Sequence, residues 1–167
     1  GLNRLTEVVR KGQTAAISAS NISSIKNANL LPSALSYSSS GTQDARTAYV
    51  YDSQGRLQYS LADTNGTQAS ISQKYYDAVG NLTKEVAYAN TIAYNANYTP
   101  EAVQSILTTS GAVNATDNRQ SFSFYDKANR LRFSVDSQGA VTELRYDNTG
   151  KVTHSIQYSA LIHSTSA

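Results

Sequence analysis

Few side chains in this sequence could do chemistry, and their spacing says what kind. His154 and His163 are its two histidines, the groups that titrate near neutrality and the first candidates for proton transfer or metal ligation. Serine is so abundant that a Ser-His-Asp set can be drawn on paper from almost any three residues, so both histidines are read as solvated polar residues. Aspartate recurs in one context, at Asp52, Asp77, Asp126 and Asp147. Carboxylates bind hard cations, and paired ones do acid-base work. Here, however, Asp-x-x-Gly lacks the alternating ligand string of a calcium loop, and a catalytic pair is needed once rather than at every repeat. Turn formation is the preferred reading.

Tyrosine is the third candidate: 12 Tyr stand against 3 Phe and no Trp. Such rings could stack on sugar rings. More often a Tyr of this kind packs on a neighbouring hairpin with its tip wet, for about 0.2 to 1 kcal/mol per cross-strand pair. No cysteine is present, which removes disulfides, thiolate nucleophiles and Cys-based metal sites. No catalytic, cofactor or metal residue is therefore expected, and the chain is read as non-enzymatic. Asn-x-Ser/Thr sequons at Asn21, Asn65, Asn81, Asn97 and Asn114 matter only on a eukaryotic secretory route.

The elements that carry these residues follow from composition and period. At 167 residues the chain can bury a core, and Tyr, Thr, Val and Ile with abundant Ser, Asn and Gly favour strands and turns. A net charge of +2, scattered over both halves, offers no basic patch for nucleic acid. No apolar run approaches the length of a membrane helix, so neither membrane insertion nor an N-terminal leader is expected.

Four copies of one pattern, Tyr-Asp-x-x-Gly-x-Leu, organise the chain. The first copy carries Tyr51, Asp52, Gly55 and Leu57, and the second Tyr76, Asp77, Gly80 and Leu82. The third has Tyr125, Asp126, Asn129 in the Gly place and Leu131; the fourth has Tyr146, Asp147, Gly150 and Val152 in the Leu place. A headless fifth copy, Gly1-Leu2-Asn3-Arg4-Leu5, opens the chain, so the sequence reads as a fragment that starts inside a repeat. Alternating residues before each Asp predict a strand, Asp and a positive-φ Gly predict a turn, and a second strand follows. Copies come in pairs, and Tyr51 recurs as Tyr125, 74 residues on. Asp63-Thr64-Asn65-Gly66 and Asp136-Ser137-Gln138-Gly139 read as a second set of Asp-x-x-Gly turns linking the hairpins of a pair.

The expected organisation is the end of a truncated repeat over 1–10, an insertion over 11–46, a repeat pair over 47–88, a second insertion over 89–120, a second pair over 121–159, and the start of a further insertion or tail over 160–167. Thr99 as N-cap, Pro100 at the first helical position and apolar Val103, Ile106 and Leu107 predict a short helix that stops at Gly111. Asn21–Ile25 is a weaker helix candidate, and the tract 33–42 reads as loop.

With these copies laid out, the sequence resembles the YD-repeat or RHS-repeat family over about two thirds of its length. The resemblance implies an all-β strip of tandem antiparallel hairpins that curves or spirals, as in bacterial RHS proteins, toxin-complex C components and animal teneurins. In the toxins such a shell encloses a C-terminal toxic segment released by self-cleavage. The cleavage core has no counterpart here, since the only prolines are Pro32 and Pro100 and no Asp-Pro dipeptide occurs. The implied role is a scaffold or shell segment of a secreted or bacterial cell-surface protein. Its partners would be neighbouring repeats of the same chain, and an enclosed toxin segment or a cell-surface glycan. The alternatives are a carbohydrate- or receptor-binding adhesin module, and a homopolymer growing through open strand edges.

Overall fold

The structure, a computed structural model, describes residues 4–10, 15–16, 36–37 and 45–162. In chain order the elements are β1 (Glu7–Arg10), β2 (Ala15–Ala16), β3 (Ser36–Tyr37), β4 (Ala45–Tyr51), β5 (Leu57–Asp63), β6 (Gln68–Tyr76), β7 (Leu82–Ala87) and β8 (Ile92–Ala93). They continue with α1 (Pro100–Thr109), a 3-10 turn at Ala112–Asn114, β9 (Arg119–Tyr125), β10 (Leu131–Val135), β11 (Val141–Tyr146) and β12 (Val152–Gln157). Ten strands form one antiparallel sheet in the order β1-β4-β5-β6-β7-β9-β10-β11-β12, with β8 added beside β7 on the edge of β6. β2 and β3 pair with each other. The fold is all-β, tandem antiparallel hairpins in an open sheet, as expected.

Each repeat turn closes in the same way. The Asp backbone N–H donates to the carbonyl four residues on, as Asp52 does to Arg56 at 2.9 Å, and the Gly N–H returns to the Asp carbonyl. That geometry needs a left-handed residue in the Gly place; Gly55 has φ +82°, and the third copy meets the same demand with Asn129 at φ +63°. Beyond every turn the register slips by one residue, leaving Gln58, Thr83, Arg132 and Thr153 as bulges at one place in the motif.

Helix α1 starts at Thr99, whose hydroxyl accepts the Ala102 N–H, with Pro100 at the head. The predicted helix is therefore present, ending at Thr109 just before Gly111. It lays Val103 and Leu107, one turn apart and both fully buried, on the first repeat pair. Beneath them lie Val50, Tyr59, Leu61, Ile71, Val86 and Ile92. Burial of aliphatic side chains of this size contributes about 1.5 to 3 kcal/mol each.

Two sequence expectations need correcting. The Asp63 and Asp136 turns are not one class: Asp136 repeats the Asp-x-x-Gly closure, whereas Asp63 still pairs with Ala69 in the sheet and the closing bond starts one residue later, from the Thr64 N–H to the Gln68 carbonyl. Arg46 holds the Asp63 turn from a neighbouring strand, its side chain donating to both the Asp63 carboxylate and the Gly66 carbonyl. The tract 33–42 contains β3 at Ser36–Tyr37, because its backbone finds a partner in Ala15–Ala16. The insertion 89–120 also gives a strand to the sheet, β8, since Ile92 belongs to the apolar core. The helix candidate at Asn21–Ile25 lies outside the described residues. Among the described residues no helix is long and apolar enough to cross a membrane.

Candidate functional site

The recurring Asp side chains are consumed by their own turns. Oδ1 of Asp52 accepts the backbone N–H of Gln54 and of Arg56, at 3.0 and 2.8 Å, while Oδ2 accepts Arg56 Nε at 2.8 Å. Asp126 repeats this set with Ala128 and Arg130 and Asp77 with Val79 and Asn81, while at Asp147 Oδ1 accepts the backbone N–H of Thr149 and Lys151 and the Thr149 hydroxyl. At Asp52 and Asp77 partial burial pushes the carboxyl pKa up, and the donated bonds outweigh it. At Asp126 and Asp147 side-chain donors, Arg130 and Thr149, lead the shift. All four end below the ordinary carboxylate value. Carboxylates held this way are poor bases, and among the described residues no three metal-binding groups converge.

The motif tyrosines join one copy to the next. Tyr51 donates its hydroxyl to the Leu5 carbonyl at 2.8 Å, Tyr76 to Leu57 at 2.8 Å, Tyr125 to Leu82 at 3.0 Å and Tyr146 to Leu131 at 2.5 Å. In each case the acceptor is the Leu of the preceding motif, the headless copy included. The motif Arg adds a second link by covering the next ring: Arg4 lies over Tyr51, Arg56 over Tyr76 and Arg130 over Tyr146, at 4.6 to 5.3 Å from the centroid. At the boundary between pairs Asn81 replaces Arg, and its side-chain amide donates instead to Asn129. Gly80 and Gly150 occupy the left-handed corner of their turns, and Val152 sits on β12 with its side chain exposed.

Each pair also buries one polar centre. In the first, Gln73 donates to the Tyr59 hydroxyl at 2.9 Å and accepts from Tyr75 at 2.8 Å and Tyr88 at 2.5 Å; Tyr59 passes the chain on to Gln104 of α1. Burial pushes the Tyr59 phenol up to about 12 and the Tyr88 phenol higher. In the second pair Glu143 takes the same place. It accepts from Arg145 and Tyr158, at 2.9 and 2.5 Å, and pairs with the bulge residue Arg132 at 2.6 Å. The Arg145 bond, then the Tyr158 bond, bring its carboxyl down to about 2.

These two centres escaped the sequence reading. The available signal was a polar residue in the apolar phase of the strand at matching places, Ile71-x-Gln73 and Val141-x-Glu143. Of the histidines, His154 is exposed on β12 with only a Thr153 hydroxyl near its ring, and His163 lies outside the described residues. What the arrangement can do chemically is hold hairpins together; no nucleophile-base pair is assembled by the motif residues.

Comparison with known proteins returns no matching family model and no matching curated protein. Similar solved structures include the crystal structures of TcdB2-TccC3-Cdc42 and of TcdB2-TccC3, each 13% identical with a TM-score of 0.39 over 71% of this chain. A third is TcdB2-TccC3 without its hypervariable C-terminal region, 13% identical at TM-score 0.39 over 68% of this chain. The chain spans 7% of the length of each of those chains.

Proposed function

We propose that this chain is a non-enzymatic structural strip, one stretch of the shell or scaffold of a larger secreted or surface protein of the RHS type. The observation that carries the reading is the repeated tyrosine-to-leucine bond between successive motifs. It uses the most distinctive residue of the motif to fasten hairpin to hairpin, so stability accumulates along the array by nearest-neighbour terms. The turn carboxylates are committed to backbone and side-chain donors of their own turns, which supports a structural use of the recurring Asp positions over catalysis.

Limited proteolysis of the longer protein that this reading implies, with mass spectrometry of the resistant pieces, tests it. A shell leaves the repeats intact and a distinct segment shielded. Cleavage within the insertions, releasing independent pieces with nothing protected, would instead favour an adhesin or a filament subunit. The filament reading has one observation of its own, the exposed edge strand β12, whose residues face solvent along almost its whole length. Concentration-dependent assembly of the purified chain would decide for it.

A further inference from the structure

The two repeat pairs are copies of one unit, yet they differ in what lies on the apolar face. In the first pair Val50, Tyr59, Leu61, Ile71, Tyr88 and Ile92 are all at most 7% exposed. Helix α1 covers them, with Val103 and Leu107 sealed between helix and sheet. The same sheet positions in the second pair are Phe124, Phe133, Val135, Val141, Tyr158 and Ile162, which line an apolar groove of about 480 Å³. Among the described residues nothing covers it: Phe124 is 53% exposed, Tyr158 42% and Ile162 57%. Large aromatic and branched side chains gathered on one open concave surface mark an interaction site in a water-soluble fold.

The backbone beside the groove follows the path that leads to α1 in the first pair. Tyr88 N–H bonds the Ile71 carbonyl at 3.0 Å, and β8 then pairs Ile92 with Ala69 before the chain turns into the helix. In the second pair Tyr158 N–H bonds the Val141 carbonyl at 3.0 Å, and Ile162 N–H bonds the Gly139 carbonyl at 2.8 Å. Ile162 is thus docked where Ile92 is docked, and the chain leaves the sheet at the same corner. Gly139 secures that corner, since a Cβ there would lie 2.2 Å from the Ile162 carbonyl oxygen.

We propose that this groove is the docking site for a short amphipathic helix of the α1 kind, delivered in cis by polypeptide leaving Ile162. Its contact face carries two branched aliphatic residues one turn apart, in the places of Val103 and Leu107. One difference in chemistry is also specified. Tyr59 needs Gln104 of α1 as its hydroxyl acceptor, whereas Phe133 in the same place has no hydroxyl, so the second helix needs no polar residue there. Delivery in cis fits the physics, because a helix of about ten residues is barely stable alone, and tethering raises its local concentration to about millimolar.

The test appends a second copy of residues 93–114 directly behind Ile162 in the full chain. Fluorescence of the apolar dye ANS and amide exchange of β10 and β11 are read, with amides of β4 to β7 reporting that each protein is folded. The unmodified chain binds the dye, and Val135→Lys abolishes that binding. The appended copy displaces the dye and slows exchange of the groove strands by about tenfold or more; the same copy carrying Val103→Asp and Leu107→Asp does neither. The proposal is overturned if the two appended versions behave alike. It is also overturned if the unmodified chain dimerises through the groove, with dye binding lost as concentration rises and monomers restored by Phe124→Lys, because the occupant is then a second copy.

Discussion

Replacing Tyr125 by Phe removes one oxygen and leaves the ring in place, which isolates the bond between the two repeat pairs. The hydroxyl donates to the Leu82 carbonyl at 3.0 Å, between residues that are both half-buried. A neutral hydrogen bond contributes about 0.5 to 1.5 kcal/mol net, and a carbonyl left without a partner raises the loss only where water is excluded. Half-burial places the expected cost at about 1 kcal/mol, or roughly 2 to 4 °C in Tm for a chain of this size. Urea melts followed by circular dichroism measure it, and Tyr51→Phe, whose bond to Leu5 is exposed, should cost less. Tyr76→Phe and Tyr146→Phe share no partner and should add to within about 0.5 kcal/mol. If Tyr125→Phe is neutral while Tyr125→Ala is strongly destabilising, the ring joins the copies and the hydroxyl-carbonyl reasoning is wrong.

Other perturbations give separate readouts. Gly139→Ala places a methyl at φ +88° and 2.2 Å from the Ile162 oxygen, so it should release Ile162, seen as faster exchange of that amide, and lower Tm. Leu107→Ala opens a cavity beneath α1 and should cost about 2 to 5 kcal/mol in urea melts, with α1 exchanging first. The Glu143 carboxyl, at about 2 against an ordinary 4.5, contributes stability that is fully present above pH 4.5 and lost as pH falls towards 2. Glu143→Gln should therefore flatten the acid limb of a stability-pH curve, and an unchanged limb would place the acid sensitivity in the turn aspartates instead.

How much was legible in the sequence depends on whether the structure used side chains or backbone. Turns were legible because Asp and a left-handed Gly or Asn have few other uses at that spacing, and α1 because Thr99 and Pro100 announce a helix start. The partner of each motif Tyr was not, because a leucine carbonyl looks like any other carbonyl in sequence. The bulges at Gln58, Thr83, Arg132 and Thr153 were hidden for a similar reason: a slipped register has no residue signature when its occupants are so varied. The one-residue shift of the Asp63 turn was missed because the residue that holds that Asp, Arg46, lies in another strand 17 residues away.

The two polar centres show how the cover over a face constrains the residue beneath it. Gln73 lies in the sealed pair, 2% exposed, and three tyrosine hydroxyls satisfy it with no charge present. Glu143 is as deeply buried, but its partners Arg132 and Arg145 keep 34% and 52% of their side chains in water, so the ion pair is only half desolvated. Gln73→Glu would put a carboxylate under α1 without such partners, and it would force Tyr59 to abandon Gln104 in order to donate. The desolvation cost should exceed what hydroxyl donors return, raising the new carboxyl above its unfolded value. Stability would then be intact below about pH 4 and fall as pH rises through the raised pKa, the reverse of Glu143. A loss of about 3 kcal/mol at pH 7 is expected in urea melts. Equal stability at pH 4 and pH 7 would mean that three phenols suffice to hold a buried charge, and that the choice of Gln in the sealed pair has another cause.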